Sequence, residues 1–447
     1  MIADLNKVKQ VLKSSLNTKH LNALALKEGF ILRNRKITGA KFVYSLIFLL
    51  SSGAINLRKI KESVFFNGDI SREAINKKFN NKSVRFLKKI SFDLIKKKVF
   101  FNKKSILIFN DIKILDSSYF LLHNGLIKVF PYIGGAQKSG AKMQLFYSYL
   151  KNGIFNIEFK KSRMNDQNYV KYIAKHLNKG ELFLADKAYL VIGFLIRLNK
   201  KGVYFIGGYN RQDLYIKNKN ENGVTYKKVN IIDYLSVKTS DFREDFYMYN
   251  SKNKNNRWLA VSVIFFKLSE EKSNLNKMNA RKSAKKHNKS KTPTAKTLAL
   301  SEWRVYITNI KENILSLKDI ASIYRVRWQV ELIFKNYKSI MKLEKYNVKS
   351  NEHRVKTEFY AHMIIFIISD KLFTTLQSQS SKEFSFYKFS SLFEQYIPFM
   401  AKAINQNFKT FFQIIEEVMK IALKSSTIGI QRNRKTTWQL ILDIKIL

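Results

Sequence analysis

Two short apolar runs in this chain each end in an aspartate: IKILD at 112–116 and ELFLAD at 181–186. A third run, VYFIGG at 203–208, follows a helical pattern at Leu190–Leu198. Runs this short and this β-favouring read as strands. MQLFYSYL (143–150) and IFNIEF (154–159) add two more, joined by the hairpin signal Lys151-Asn152-Gly153. A helix is expected around Gln167–Leu177. Three strands followed by alternating helix and strand make an α/β layout, a mixed sheet flanked by helices.

The flanking regions read differently. Residues 1–98 are expected to be helical, with Phe42, Leu46, Leu49 and Leu50 forming a buried face. Ser71 is a good N-cap leading into Ala74 and Ile75. The short helix, polar turn and basic helix that follow resemble a helix-turn-helix arrangement, which suggests a DNA-binding domain. Residues 99–210 carry the α/β pattern. Residues 211–310 are strand-like, with WLAVSVIFF (258–266) and WRVYITN (303–309) the clearest strands. Between these lies a low-complexity basic stretch, Glu270–Lys296, expected to be a disordered loop over about 270–297. Contact with DNA and simple solvation are both open for it. Residues 311–350 hold one further helix, and 351–447 read as apolar helices, including FYAHMIIFIISDKLF and FFQIIEEVMKIAL.

Charge narrows the partners. Against 82 Lys plus Arg stand 33 Asp plus Glu, a net charge of +49. Such a chain repels itself unless a polyanion meets it, and nucleic acid is the obvious one. The competing explanation is compositional: Lys, Asn, Ile and Phe are what an AT-rich genome encodes. With no cysteine, disulfides, thiolate catalysis and Cys-based zinc sites are excluded. MIADLNKVKQVLK has no apolar core of a signal peptide. The longest apolar runs, Phe42–Leu50 and Met363–Ile368, fall short of the roughly 20 residues that span a bilayer. The expectation is a soluble, cytoplasmic protein without a membrane partner.

The stretch YRVRWQVELIFKNYK (324–338) reads as a helix with an unusual stripe. At about 100° per residue, Tyr324, Arg327, Glu331 and Lys338 fall within one arc of about 60°. Ile323, Val326, Val330, Ile333, Phe334 and Tyr337 occupy the neighbouring arc. Arg327 and Lys335 also flank Glu331 at i−4 and i+4, a spacing that often only solubilises a helix. Acids are scarce here, so Asp116, Asp186 and Glu331 stand out. Three converging carboxylates suit two Mg²⁺ ions. Each alone also serves as an ordinary turn or cap residue.

Taken together, the chain resembles the DDE transposases of bacterial insertion sequences, specifically the insertion-sequence family 4 group. That group's Tyr-(2)-Arg-(3)-Glu-(6)-Lys signature matches Tyr324, Arg327, Glu331 and Lys338. LDSS (115–118) resembles its first-Asp motif and LADKAY (184–189) its second. FPYIGGAQKSGAKMQLFYSYLKNG resembles its basic segment and central hairpin. The resemblance covers about residues 40–345. It implies a ribonuclease H-like catalytic core with a β-rich insertion, flanked by the N-terminal helical domain and the C-terminal helical region. It implies Asp116, Asp186 and Glu331 as a catalytic metal triad for two Mg²⁺, with Mn²⁺ able to substitute. Arg327 and Lys338 would neutralise phosphates, Tyr324 would hydrogen-bond one, and Lys142 and Arg211 would join the DNA-contacting set. A hairpin intermediate needs an extruded base stacked on an aromatic ring, for which Trp328 is the first candidate, then Trp303 and Trp258. The implied partners are transposon terminal inverted repeats, target DNA and a second copy in a homodimer, at the bacterial nucleoid.

Some residues depart from the group's pattern. Ser118 stands where Thr is usual, and Lys187 and Ala188 where Arg and Gly are usual. The chain reads GGYNR where an Arg usually follows the strand, leaving Arg211 as a shifted substitute. Two alternatives stay open: a nuclease that cuts without joining, and a non-catalytic DNA-binding copy acting as a regulator.

Overall fold

The structure, a computed structural model, describes residues 2–50, 55–97, 108–133, 138–150, 153–221, 223–252, 257–287, 291–340, 348–378, 380 and 382–428. The chain opens with α1 (Ile2–Leu16), α2 (Thr18–Lys27) and α3 (Gly39–Leu50). Val8, Leu12 and Leu16 recur every fourth residue and bury one stripe of α1. At Gly39 an added Cβ would meet the Leu21 carbonyl oxygen at 2.6 Å, so only glycine lets α3 start this close to α2. Then come α4 (Leu57–Lys61), α5 (Arg72–Lys78) and α6 (Asn81–Lys96). Ser71 caps α5 as expected, accepting from the Ala74 amide at 3.1 Å. A capping box of Asn80 and Ser83 starts α6.

The strands follow. They are β1 (Ile112–Leu122), β2 (Ser139–Ser148) and β3 (Gly153–Lys161), then α7 (Asp166–Ile173), β4 (Leu182–Ala185), α8 (Ile192–Lys200) and β5 (Tyr204–Gly208). The expected hairpin turn at 151–152 lies outside the described residues. β4 runs parallel to β1 and β5 parallel to β4, while β2 and β3 pair antiparallel. The strand order β3-β2-β1-β4-β5 is that of the ribonuclease H-like fold. The next segment supplies β6 (Leu214–Asn220), β7 (Gly223–Lys228), α9 (Ile231–Ser236), β8 (Phe242–Tyr249) and β9 (Trp258–Lys267). It is followed by α10 (Glu270–His287), α11 (Ala295–Leu300) and β10 (Trp303–Thr308). β10 pairs antiparallel with β5, so the β-rich insertion extends the sheet beyond β5 in the order β10-β9-β8-β6-β7.

One expectation is corrected here. The stretch over 270–297 is not a disordered loop: most of it is α10, an 18-residue helix. Low apolar content was the wrong guide, because Glu, Lys, Ala, Met and Arg are good helix formers and no Gly or Pro interrupts them. Glu270 and Glu271 sit in its first turn, where acids oppose the helix dipole favourably. Lys277 is tied to Glu302 at 2.7 Å and Asn276 to the Ser301 carbonyl at 3.2 Å.

The chain ends in α12 (Leu317–Tyr324), α13 (Trp328–Ile340), α14 (Glu352–Ser378), α15 (Phe386–Gln406) and α16 (Phe408–Ser425). Asn407 serves as both the C-cap of α15 and the N-cap of α16. By length and composition α14 could cross a membrane, contrary to the sequence expectation, but 89% of its apolar window is buried inside the protein. It is a core helix.

Two compact units emerge. The first gathers the described residues within 2–97, 116–164 and 329–428. In it α14 lies along α6, with the Ser83 and Thr357 hydroxyls 2.8 Å apart, and Phe359 packs on Phe120 and Phe159. The second gathers residues 108–115 and the described part of 165–328. Its core is built on the parallel strands, and Ile112, Ile114, Leu115 and Leu182–Ala185 are fully buried. The boundary between the units falls within β1, after Leu115.

Candidate active site

In the second unit the register between β1 and β4 runs from Ile112↔Leu182 to Leu115↔Ala185. Asp116 follows Leu115 and Asp186 follows Ala185, so each aspartate is the residue after the last pair of the parallel register. Both are partly exposed, and each bends back in the same way. Asp116 accepts from the Ser117 amide at 2.8 Å, and Asp186 from the Lys187 amide at 2.7 Å. Asp186 thereby caps a short 3₁₀ turn, Lys187–Tyr189.

Tyr324, at the end of α12, anchors the strand beside Asp186. Its hydroxyl donates to the Ala185 carbonyl at 3.3 Å. Its ring lies 4.8 Å from that of Tyr306 on β10, and the Arg327 guanidinium stands 5.7 Å from its centroid. Burial pushes the Tyr324 phenol up to about 12, with Arg327 opposing the shift and Asp186 adding to it. In this structure the Tyr324 proton is directed at a backbone carbonyl.

The stripe at 324–338 is not carried by one helix. A 3₁₀ turn, Arg325–Arg327, separates α12 from α13. Its tighter winding, about 120° per residue against about 100°, skews Tyr324 and Arg327 from the arc calculated for a continuous α-helix. Within α13, Glu331 sits in the first turn and Lys338 in the last, on the same face seven residues apart. Glu331 and Lys338 are both partly buried and belong to the first unit, as does Asp116.

The aromatic and basic candidates separate. Trp328 is 58% exposed, whereas Trp303 is buried against Phe242 and Phe265. Trp258 is stacked on Tyr226 at 3.7 Å. Trp328 is thus the described tryptophan with an open ring. Lys142 needs correcting as a DNA contact: it is 1% exposed, its ammonium donates to the Met164 carbonyl at 2.7 Å, and it stands 5.0 Å over the Tyr119 ring. β2 is buried along its whole length, and that tertiary cover was invisible in the sequence. Arg211 is exposed, with a left-handed φ of 65° and a hydrogen bond to the Thr297 hydroxyl at 3.1 Å. Two further arginines lie near the Tyr306–Tyr324 pair. Arg304 and Arg325 are close enough, with Arg327, to bear on the ionisation of Tyr306, whose phenol burial holds up.

Carboxylate oxygens are the donors a hard divalent cation takes. Among the described residues, however, no group of three or more His, Asp or Glu side chains is placed to hold a metal by itself.

Comparison with known proteins identifies the family. Residues 109–367 match the family model described as Transposase DDE domain. The chain is 26% identical to the transposase for insertion sequence element IS231B of Bacillus thuringiensis subsp. berliner, covering 95% of this chain and 93% of that one. It is 28% identical to the transposase for insertion sequence element IS1151 of Clostridium perfringens, covering 97% and 96%. Among solved structures, a piggyBac transposase synaptic complex with hairpin DNA is similar with a TM-score of 0.44 and 11% identity, covering 99% of this chain and 85% of that one. DDE transposase domains use a divalent metal, in keeping with the carboxylates at 116 and 186. The match spans more than half of the chain, and the chain belongs to the DDE transposases, enzymes that cut DNA strands and transfer them.

Proposed function

We propose that this protein is the transposase of a bacterial insertion sequence. It binds the terminal inverted repeats of its own element as a homodimer and excises the element by cut-and-paste through a hairpin intermediate. It then joins the ends to target DNA. Asp116, Asp186 and Glu331 hold two Mg²⁺ ions, with Mn²⁺ able to substitute. When bound, these ions activate a water or 3′-hydroxyl and stabilise the leaving oxygen of an in-line phosphoryl transfer. Mg²⁺ is usually held by one or two carboxylates together with substrate phosphates, not by an all-protein cage.

The other residues take supporting roles. Arg327 and Lys338 neutralise phosphates beside the cut, Arg as a flat bidentate donor and Lys as a point charge. Arg211 makes an outer contact. Trp328 stacks the extruded base of the hairpin. Tyr324 positions Asp186 through the Ala185 carbonyl.

The observation that supports the reading best is the register that ends on Leu115↔Ala185, one residue short of both aspartates. The test incubates wild type and Glu331→Ala with duplexes carrying the element's terminal repeats and Mg²⁺. Cleavage with a hairpin product by wild type alone is the expected result. Cleavage without joining would favour the nuclease, binding without cleavage in both would favour a non-catalytic regulator, and equal cleavage by both would remove Glu331 from the site.

A further inference from the structure

We infer that the hairpin β6–β7 is a two-stranded ribbon that reads DNA bases in the major groove. This rests on the reading that the protein acts on DNA, and it assigns a recognition surface where the resemblance had none.

The geometry is unusual for a sheet edge. β6 pairs with β8 only at Leu214 and Tyr215, then continues with β7 as its sole partner. From Ile216↔Lys227 to Asn220↔Gly223 the two strands therefore project as a free ribbon. A bare two-stranded ribbon is marginal in water. This one is braced at its base, where Tyr226 stacks on Trp258 at 3.7 Å and lies 5.2 Å from Tyr247. Tyr215 meets Trp258 edge-on at 5.0 Å.

Side chains directly opposite each other share a face, and the face alternates along each strand. Tyr215, Lys217 and Tyr226 therefore belong to the braced face. The other face carries Ile216, Asn218 and Asn220 from β6 with Lys227 and Thr225 from β7. All five are exposed. Among the described residues Asn218, Asn220 and Thr225 make no side-chain hydrogen bond within the protein, and Lys227 has no acidic partner. By contrast, Lys228 on the braced face is neutralised by Asp213 at 2.6 Å.

A ribbon of two strands about 4.8 Å apart fits a major groove about 12 Å wide. Alternate residues on a strand are about 7 Å apart, close to the rise of two base-pair steps. Asn218 and Asn220 are thus spaced to meet bases two steps apart. Asn pairs bidentately with adenine, Lys reaches guanine, and Thr meets either edge or a thymine methyl. The plainer account is that lysines merely protect a sheet edge, but that needs no row of amide and hydroxyl groups on one face.

The test selects binders from a pool of random-sequence duplexes without divalent metal, using the full chain. Wild type is compared with the Asn218→Ala/Asn220→Ala double variant, and with Lys219→Ala as a phosphate-type control. Wild type is expected to enrich two adenines two steps apart. The double variant is expected to lose that preference and about tenfold in affinity for the selected site. Its affinity for unselected DNA and its salt dependence should not change, and near-ultraviolet circular dichroism should report an intact Trp258–Tyr226 stack. An unchanged selected sequence in the double variant would overturn the inference, as would a loss confined to the salt dependence. If wild type bound no duplex at all, the DNA-acting reading itself would fall. Metal-dependent cleavage, read separately with Glu331→Ala, tells the two failures apart.

Discussion

The Tyr324 hydroxyl donates to the Ala185 carbonyl, the peptide group that leads directly into Asp186. A signature tyrosine more than a hundred residues downstream thus holds the strand end that carries an acid. Tyr324→Phe keeps the ring on Tyr306 and deletes only this bond. It is expected to cost about 1 kcal/mol of stability and to lower cleavage about tenfold while end binding stays unchanged. Thermal unfolding and a cleavage time course check this. Cleavage equal to wild type would show that Asp186 needs no such anchor.

Trp328 and Trp303 should fail in different ways. Trp328→Ala removes an exposed ring, so the protein should fold and nick the first strand normally while forming about 10- to 100-fold less hairpin. Trp303→Ala empties a buried site against Phe242 and Phe265, and should cost about 3–5 kcal/mol of stability instead. Denaturant unfolding and gel analysis of the products separate the two.

Two buried acids in α14 tie stability to pH. Burial holds the Glu358 carboxyl up at about 7 from 4.5, with Arg354 only partly offsetting it. Burial likewise holds Asp370 up at about 6 from 3.8, against the Ile154 amide that donates to it. The folded chain keeps protons that the unfolded chain releases. Their contribution is therefore full below about pH 4 and is lost as pH rises through about 6 to 7. Glu358→Gln with Asp370→Asn should flatten that decline, measured as urea unfolding at about pH 5 and about pH 8. An equal decline in variant and wild type would assign the pH dependence to other groups.

Near the start of the same parallel strands, Lys113 lies 2.8 Å from Asp111 and 3.9 Å from Glu181, all three nearly fully buried. Lys113→Met would leave the two carboxylates buried without this cation. The expected cost is about 3–5 kcal/mol, read from denaturant unfolding. A loss below about 1 kcal/mol would mean that water or other donors already solvate the acids.

Local physics was legible in the sequence itself. Ser71 caps α5, the runs before Asp116 and Asp186 are strands, and the α/β alternation builds the ribonuclease H-like sheet, because caps and hydrophobic periodicity act over a few residues. The YREK spacing and the two aspartate motifs pointed to the family for the same reason: they are patterns along the chain. What depends on distant partners could not be seen. The Tyr324 proton finds Ala185, Lys142 is enclosed by its strand's neighbours, and β6 outruns β8 to leave a bare ribbon. Each of these is decided by which surfaces meet in space. Two local features were also misjudged: the 3₁₀ turn at Arg325–Arg327 overwinds a helix that periodicity assumes to be uniform, and α10 forms from helix-favouring residues without an apolar stripe to announce it.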